Sequence, residues 1–210
     1  MKSAFVRHPV FARCYAWLSR RMERELAAHR ERLLAGLTGE VVEIGAGNGM
    51  NFGHYPRDVS RVVAVEPEPH LRALAKESAA RAPVPIEVVD GVAANLPSAD
   101  DAFDAAVVSL VLCSVPDPTA ALTELRRVVR PGGQLRFLEH VRADTPVLGA
   151  VQRALDATLW PVLAGGCHTH RDTERLIRAT GWTVESCDPV HFPDVSWTPT
   201  SPHVLGVATR

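Results

Sequence analysis

The chain has 210 residues, 46% of them hydrophobic, and a formal net charge of −1: enough length to bury roughly 70% of the surface its unfolded form exposes, and no general positive field for nucleic acid. No apolar run approaches the ~20 residues of a membrane span, and the opening residues lack the apolar region of a signal peptide. Four scattered cysteines without a C-x-x-C pair point to reduced thiols and a cytoplasmic protein rather than a disulfide scaffold.

The first element is an amphipathic helix. Residues Pro9 to Leu37 set Phe11, Trp17, Leu18, Leu26, Leu33 and Leu34 against many arginines. Two readings stay open, a lid docked on the rest of the chain, which we favour, and a basic face resting peripherally on an anionic membrane. We therefore separate residues 1–37, a helical lid segment, from residues 38–210, the main part of what is otherwise one domain.

Next comes a strand, Glu40-Val41-Val42, that runs directly into Glu43-Ile44-Gly45-Ala46-Gly47-Asn48-Gly49. About twenty residues later Glu66, followed by Pro67, ends a second strand, Arg61 to Val65. Glycines after a strand let the backbone turn sharply and approach a ligand, and an acidic residue closing the following strand is suited to hold two ribose hydroxyls. A nucleoside cofactor is the expectation. Met50 stands where a dinucleotide fingerprint needs a third glycine, and the Gly-Lys-Ser/Thr of a P-loop is absent, so neither of those ligand classes fits.

Further strands are predicted at Val84–Val89, Phe103–Val108, Gln134–Glu139, Trp182–Val190 and His203–Ala208, and helical faces at Leu71, Leu74 and Ala75, at Leu122, Leu125, Val128 and Val129, and at Leu176, Ile177 and Ala179. Such alternation predicts an α/β fold, a Rossmann-like, seven-stranded, mainly parallel sheet with helices on both faces. Its ligand belongs at the carboxyl ends of the strands. Arg130-Pro131-Gly132-Gly133 reads as a turn into the fifth strand and the Pro-rich stretch Asp194 to Pro202 as a loop before the last. Cys167, His168 and His170 lie too close together in sequence to surround a metal ion, and no metal is expected.

The acidic-x-Gly-x-Gly-x-Gly pattern resembles motif I of the class I S-adenosylmethionine-dependent methyltransferases. The resemblance implies S-adenosylmethionine as cofactor, S-adenosylhomocysteine as product, and a cofactor site along Glu43, Gly45, Ala46, Gly47, Asn48, Gly49 and Asn51, then Glu66 and Pro67. Glu43 would meet the cofactor's ammonium group, where a pyrophosphate would be repelled. Val92-Ala93-Ala94-Asn95-Leu96-Pro97 aligns with the family's adenine segment, Val92 replacing the usual acidic residue and Ala93 offering its backbone N–H. Asp100 to Asp104 resembles the approach to motif IV, which places Ser109 and Leu110 beside the cofactor.

A closer likeness covers nearly the whole chain. Asn51-Phe52-Gly53-His54-Tyr55-Pro56, Leu110-Val111-Leu112-Cys113-Ser114-Val115, Glu139-His140-Val141, Gly166-Cys167, Arg171 with Thr173, Ser196-Trp197 and Pro202-His203 resemble the methyltransferase-like thiol S-methyltransferases and their bacterial ubiquinone-biosynthesis-like relatives. Asn48 stands where a threonine is usual, and the animal members' hydrophobic anchor has no counterpart. The likeness implies S-methylation of a small thiol or sulfide; methylation of a phenol, quinone or lipid amine, or cofactor binding without catalysis, stays open. His140 is the candidate catalytic residue, since an imidazole titrates in the useful range, although a hydrogen bond to a loop carbonyl would explain it equally. His8, Tyr15, Trp160, His168 and Trp197 are candidates to contact the acceptor, and Cys113 reads as packing material.

Overall fold

Runs of valine, isoleucine and alanine form the centre of the sheet because strands covered on both faces need apolar side chains on both. In β1 (Gly39–Ile44), β2 (Val59–Val65) and β4 (Phe103–Ser109) successive residues feed opposite layers. Val42, Ile44, Val63, Val65, Ala106 and Val108 pack in one layer, and Val41, Val62, Ala64, Ala105 and Val107 in the other, as the two-residue period of a strand requires. The computed structural model describes residues 9–193 and 198–210.

With β3 (Ile86–Val89), β5 (Val129–His140), β6 (Thr183–His191) and β7 (Pro202–Thr209), the sheet runs β3-β2-β1-β4-β5-β7-β6. The first five strands in that order are mutually parallel, and β7 is antiparallel to both of its neighbours. The chain leaves β1 toward β2 on one side and later returns to β4 on the other. That reversal opens a crevice at the carboxyl ends of β1 and β4, the place where open α/β sheets bind ligands.

Helices α1 (Pro9–Leu34) and α2 (Pro69–Ala79) cover one face; α3 (Pro118–Val128) and α6 (Thr173–Ala179) cover the other. Proline opens α2 and α3, where a missing N–H costs nothing, and the Glu68 and Asp117 carboxylates cap them by accepting from Leu71 N and Ala120 N at 2.8 and 2.9 Å. Leu122 and Leu125 of α3 are fully buried, each stabilising by about 2 kcal/mol through the area removed from water.

Three features depart from the expectation. The helical stretch predicted to Leu37 stops at Leu34, where Gly36 adopts a φ of 72°. Strand β5 begins at Val129, and Arg130–Gly133 form a bulge between the pairings Phe103 to Val129 and Ala105 to Gln134. Two further helices, α4 (Pro146–Asp156) and α5 (Trp160–Leu163), follow β5; their Val147, Leu159, Val162 and Leu163 are exposed and give no core-facing periodicity. Among the described residues no helix is long and apolar enough to cross a membrane.

Candidate active site

The loop after β1 is made possible by its glycines. Gly45 has a φ of 61°, and a Cβ there would lie 2.5 Å from the Val111 side chain after β4, so a larger residue meets both backbone strain and a clash. At Gly47, φ 58°, a Cβ would come within 3.2 Å of the Tyr15 ring. The loop therefore presents bare backbone beneath an aromatic ring of α1.

Glu43, at the end of β1, is 2% exposed. Asn51 Nδ2 donates to its Oε1 at 2.8 Å and Tyr55 Oη to its Oε2 at 2.7 Å. Arg30 of α1 donates in turn to Asn51 Oδ1 at 2.5 Å and to Glu23 at 3.1 Å. Burial pushes the Glu43 carboxyl up to about 7 against these hydrogen bonds, so the group is poised to ionise when a cation is placed against it.

Glu66 sits just past β2. Its Oε2 accepts from Gly47 N at 2.7 Å and its Oε1 from Glu68 N at 2.8 Å, which ties the glycine loop to the second strand and fixes the direction of the carboxylate. Burial raises its pKa. Pro67 O accepts from Arg72 Nη1 at 2.9 Å, as Glu66 O does at 2.8 Å, holding the turn that carries the acid. On the next connection Val92 bridges Asn95 in a tight turn, with Ala93 packed against the core.

Across the crevice β4 ends at Ser109, whose hydroxyl is buried with no hydrogen-bond partner among the described residues. Leu110 follows with a φ of 61°, a conformation that a leucine holds only where its surroundings impose it. Here Leu110 N donates to Leu138 O at 2.8 Å, and the fully buried Glu139 accepts from Val111, Leu112 and Cys113 N at 2.8, 3.0 and 3.2 Å. Burial raises Glu139 to about 7 despite those three donors. Its role is to shape the loop that walls the crevice.

Helix α1 closes over the glycine loop. Asn48 Nδ2 donates to Ser19 Oγ at 3.0 Å, Phe11 and Tyr15 stack at 5.7 Å, and Ala12 and Ala16 pack on Leu71 of α2. The outer cleft between α1 and α2, about 370 Å³ and lined by Arg13, Trp17, Arg20, Arg21 and His70 among others, includes none of the strand-end residues.

His140 ends β5 and is 4% exposed. Its Nε2 lies 3.1 Å from Pro199 O; a carbonyl only accepts, so Nε2 carries the proton. Nδ1 lies 3.6 Å from Cys167 Sγ, and the ring stacks on His203 at 5.1 Å, whose pKa burial, helped by His140, depresses to about 3. Both nitrogens of His140 are thus engaged, one by a carbonyl and one by sulfur. Gln152 of α4 holds the same corner, donating to Pro199 O and Val141 O at 2.9 and 3.1 Å.

Of the residues expected to contact the acceptor, Tyr15 is over the glycine loop, as described. Trp160 opens α5 with its indole N–H buried and without a partner among the described residues. His168 turns its ring toward Asp156 at 3.9 Å with the side chain 40% exposed. His8 and Trp197, with Ser196, lie outside the described residues. Sequence reasoning missed the hydroxyl of Tyr55 as a partner of Glu43 and the Arg30–Glu23 pair that holds Asn51 behind it; Tyr55 was visible only as part of a motif, and the α1 residues depend on tertiary packing. Among the described residues no group of three or more His, Cys, Asp or Glu side chains could hold a metal ion.

Residues 42–137 match the family model described as a methyltransferase domain. The chain is 34% identical over 183 residues to the thiol S-methyltransferase TMT1B of Rattus norvegicus, covering 84% of this chain and 74% of the relative. It is 32% identical to human thiol S-methyltransferase TMT1A, covering 90% and 78%. This chain is a class I S-adenosylmethionine-dependent methyltransferase. The methyltransferase is also 32% identical to the demethylmenaquinone methyltransferase of Corynebacterium kroppenstedtii, over 74% of its own length and 72% of the relative's. Solved structures carry the same fold. A S-adenosylmethionine-dependent methyltransferase from Thermotoga maritima superposes with a TM-score of 0.64 at 22% identity, covering 93% of this methyltransferase and 97% of that chain. The geranyl diphosphate C-methyltransferase of Streptomyces coelicolor, bound to S-adenosyl-L-homocysteine, superposes with a TM-score of 0.69 at 16% identity, covering 90% and 80%.

Proposed function

We propose that this methyltransferase transfers the methyl group of S-adenosylmethionine to the sulfur of a small thiol or of sulfide. The observation that carries the reading is its 34% and 32% identity to two thiol S-methyltransferases over most of its length.

The residues at the strand ends fit the cofactor in kind: a buried carboxylate able to ionise against an ammonium, bare glycine backbone, an acid at the end of β2, and a buried hydroxyl at Ser109 with no partner among the described residues. In this reading Glu43, with Asn51, binds the amino-acid tail. Gly45, Ala46, Gly47, Asn48 and Gly49 let it approach the backbone, and Glu66 on the Pro67 turn accepts from the ribose hydroxyls. Val92, Ala93, Ser109 and Leu110 wall the remainder. When bound, S-adenosylmethionine supplies an electrophilic methyl on a cationic sulfur. The apolar wall of Leu110 and Val111 excludes water, which favours a step in which a thiolate and a cation neutralise each other.

Small thiols are mostly protonated near neutrality, so a group that stabilises the acceptor's thiolate accelerates transfer. We assign this to His140, whose proton on Nε2 is held by Pro199 O and whose Nδ1 already faces one sulfur, that of Cys167. We assign Tyr15, Trp160 and His168 to the acceptor side; His8 and Trp197, the other candidates, lie outside the described residues. The likeness to demethylmenaquinone methyltransferase raises a second reading, methylation of a quinol ring carbon. Such an acceptor calls for a strong base, and both oxygens of Glu139 are committed to backbone N–H groups. A competition assay decides: the enzyme is given an alkyl thiol, sulfide, a phenol, a quinol and a lipid amine together with S-adenosylmethionine, and product masses are recorded. Thioether as the main product supports the thiol reading, and methylated quinol as the main product replaces it.

A further inference from the structure

Cys113 and Cys167 are 54 residues apart in sequence (167 − 113), yet the fold clasps their backbones together. His168 N donates to Cys113 O at 2.8 Å, and a Cβ at Gly166 would lie 2.5 Å from Ser114 O. Arg171 donates to Leu112 O and, at 2.8 Å, to Val115 O, fixing the turn that carries Cys113. Cys113 Sγ lies 3.4 Å from Ser114 Oγ and Cys167 Sγ lies 3.6 Å from His140 Nδ1, and the two thiols shift one another's ionisation in opposite directions. Cys113 is buried; Cys167 is half-buried. We propose that Cys167 is a peroxide-reactive thiol, and that its oxidation closes a reversible disulfide with Cys113.

The arrangement supplies each part of that chemistry. Because Nε2 of His140 already carries a proton for Pro199 O, Nδ1 is free to take the proton of Cys167. The result is a thiolate beside an imidazolium, the environment that makes a cysteine reactive. In agreement, the neighbouring Cys113 thiol and His140 hold Cys167 well below the usual thiol range, and Cys113 is pushed up and stays protonated. The Cys167 thiolate attacks one oxygen of the peroxide. A sulfur–oxygen bond forms, the oxygen–oxygen bond breaks, and the departing hydroxide takes the Nδ1 proton of His140 and leaves as water. Cys113 sulfur then attacks the sulfenic sulfur; the disulfide forms, the sulfur–oxygen bond breaks, and the hydroxyl leaves as a second water with the Cys113 proton. Two thiols are oxidised and one peroxide is reduced to two waters. The remaining cysteines are internal references: Cys14 is exposed on α1, and Cys187 of β6 has its thiol raised to about 11 by burial.

The test is independent of the methyl acceptor. The reduced full-length protein is treated with hydrogen peroxide and digested without reductant, and disulfide-linked peptides are identified by mass. We expect a Cys113–Cys167 link that dithiothreitol releases. In Cys113→Ser, we expect a sulfenic acid on Cys167 that dimedone traps. In the untreated wild type, alkylation of Cys167 by iodoacetamide at neutral pH is expected to run about tenfold or more faster than that of Cys187, following its thiolate fraction; this rate needs no substituted protein to fold. Oxidation confined to Cys14, a link between any other pair, or equal alkylation of Cys167 and Cys187 would each overturn the proposal.

Discussion

At Glu43 the sequence puts a carboxylate on the next-to-last residue of a buried strand, and the fold surrounds it with Tyr55, Asn51 and, one bond further, Arg30. Burial raises its pKa from 4.5 to about 7. Between those values the folded state holds a proton that the unfolded state has released, so this group's contribution to stability falls as pH rises through the window. Glutamine can accept from Asn51 and donate to Tyr55 without a charge. Glu43→Gln should therefore gain on the wild type by up to about 3 kcal/mol between pH 4.5 and 7, from a shift of that size, as read by denaturant unfolding at both ends. Its affinity for S-adenosylmethionine, measured by calorimetry at pH 8, should drop by about tenfold or more, the worth of a charge-assisted hydrogen bond. A difference in stability that does not vary with pH would show that the carboxyl titrates normally. Gly45→Ala tests the loop in the same way: a left-handed φ and a Cβ 2.5 Å from Val111 predict a loss of about 2 kcal/mol or more, and a wild-type unfolding midpoint would contradict the geometry.

Among the elements, α1 was legible as an amphipathic helix, but its partners were not. Leu26, Leu33 and Leu34 enter the core beneath the sheet, whereas Tyr15 and Ser19, earlier in the helix, contact the glycine loop. The two halves therefore have separable roles. Deleting residues 1–20 should leave a cooperative unfolding transition, because the core leucines remain, while cutting turnover and speeding cofactor release in stopped-flow measurements. Undiminished turnover would refute the lid. Helices α4 and α5 were not legible, since Val147, Val151, Leu159, Val162 and Leu163 face outward and the helices are positioned instead by polar contacts. Gln152 meets Val141 and Ala143, just past β5, and Pro199, and Asp156 accepts from Thr169 N and His170 N at 2.7 and 3.0 Å.

For the molecule as a whole, strand order follows from local rules. Buried β-branched runs separated by capped helices force right-handed crossovers and a parallel sheet, and the glycine loop with Glu66 marks the end at which a ligand enters. Those parts were readable because each lies within a short stretch of chain. The Glu43–Asn51–Arg30 chain, the shaping of the Leu110 loop by Glu139 and the meeting of Cys113, Cys167 and His140 were not, because each is made by residues distant in sequence. The acceptor is decided by such distant groups. The most direct measurement is transfer of an isotopically labelled methyl from S-adenosylmethionine to a small alkyl thiol, followed by product mass, with wild type beside Glu66→Ala. The account predicts labelled thioether from the wild type and, with the ribose acid removed, at least about tenfold less at limiting cofactor. An unmodified thiol from a folded, cofactor-binding enzyme that methylates a quinol or a phenol instead would contradict it.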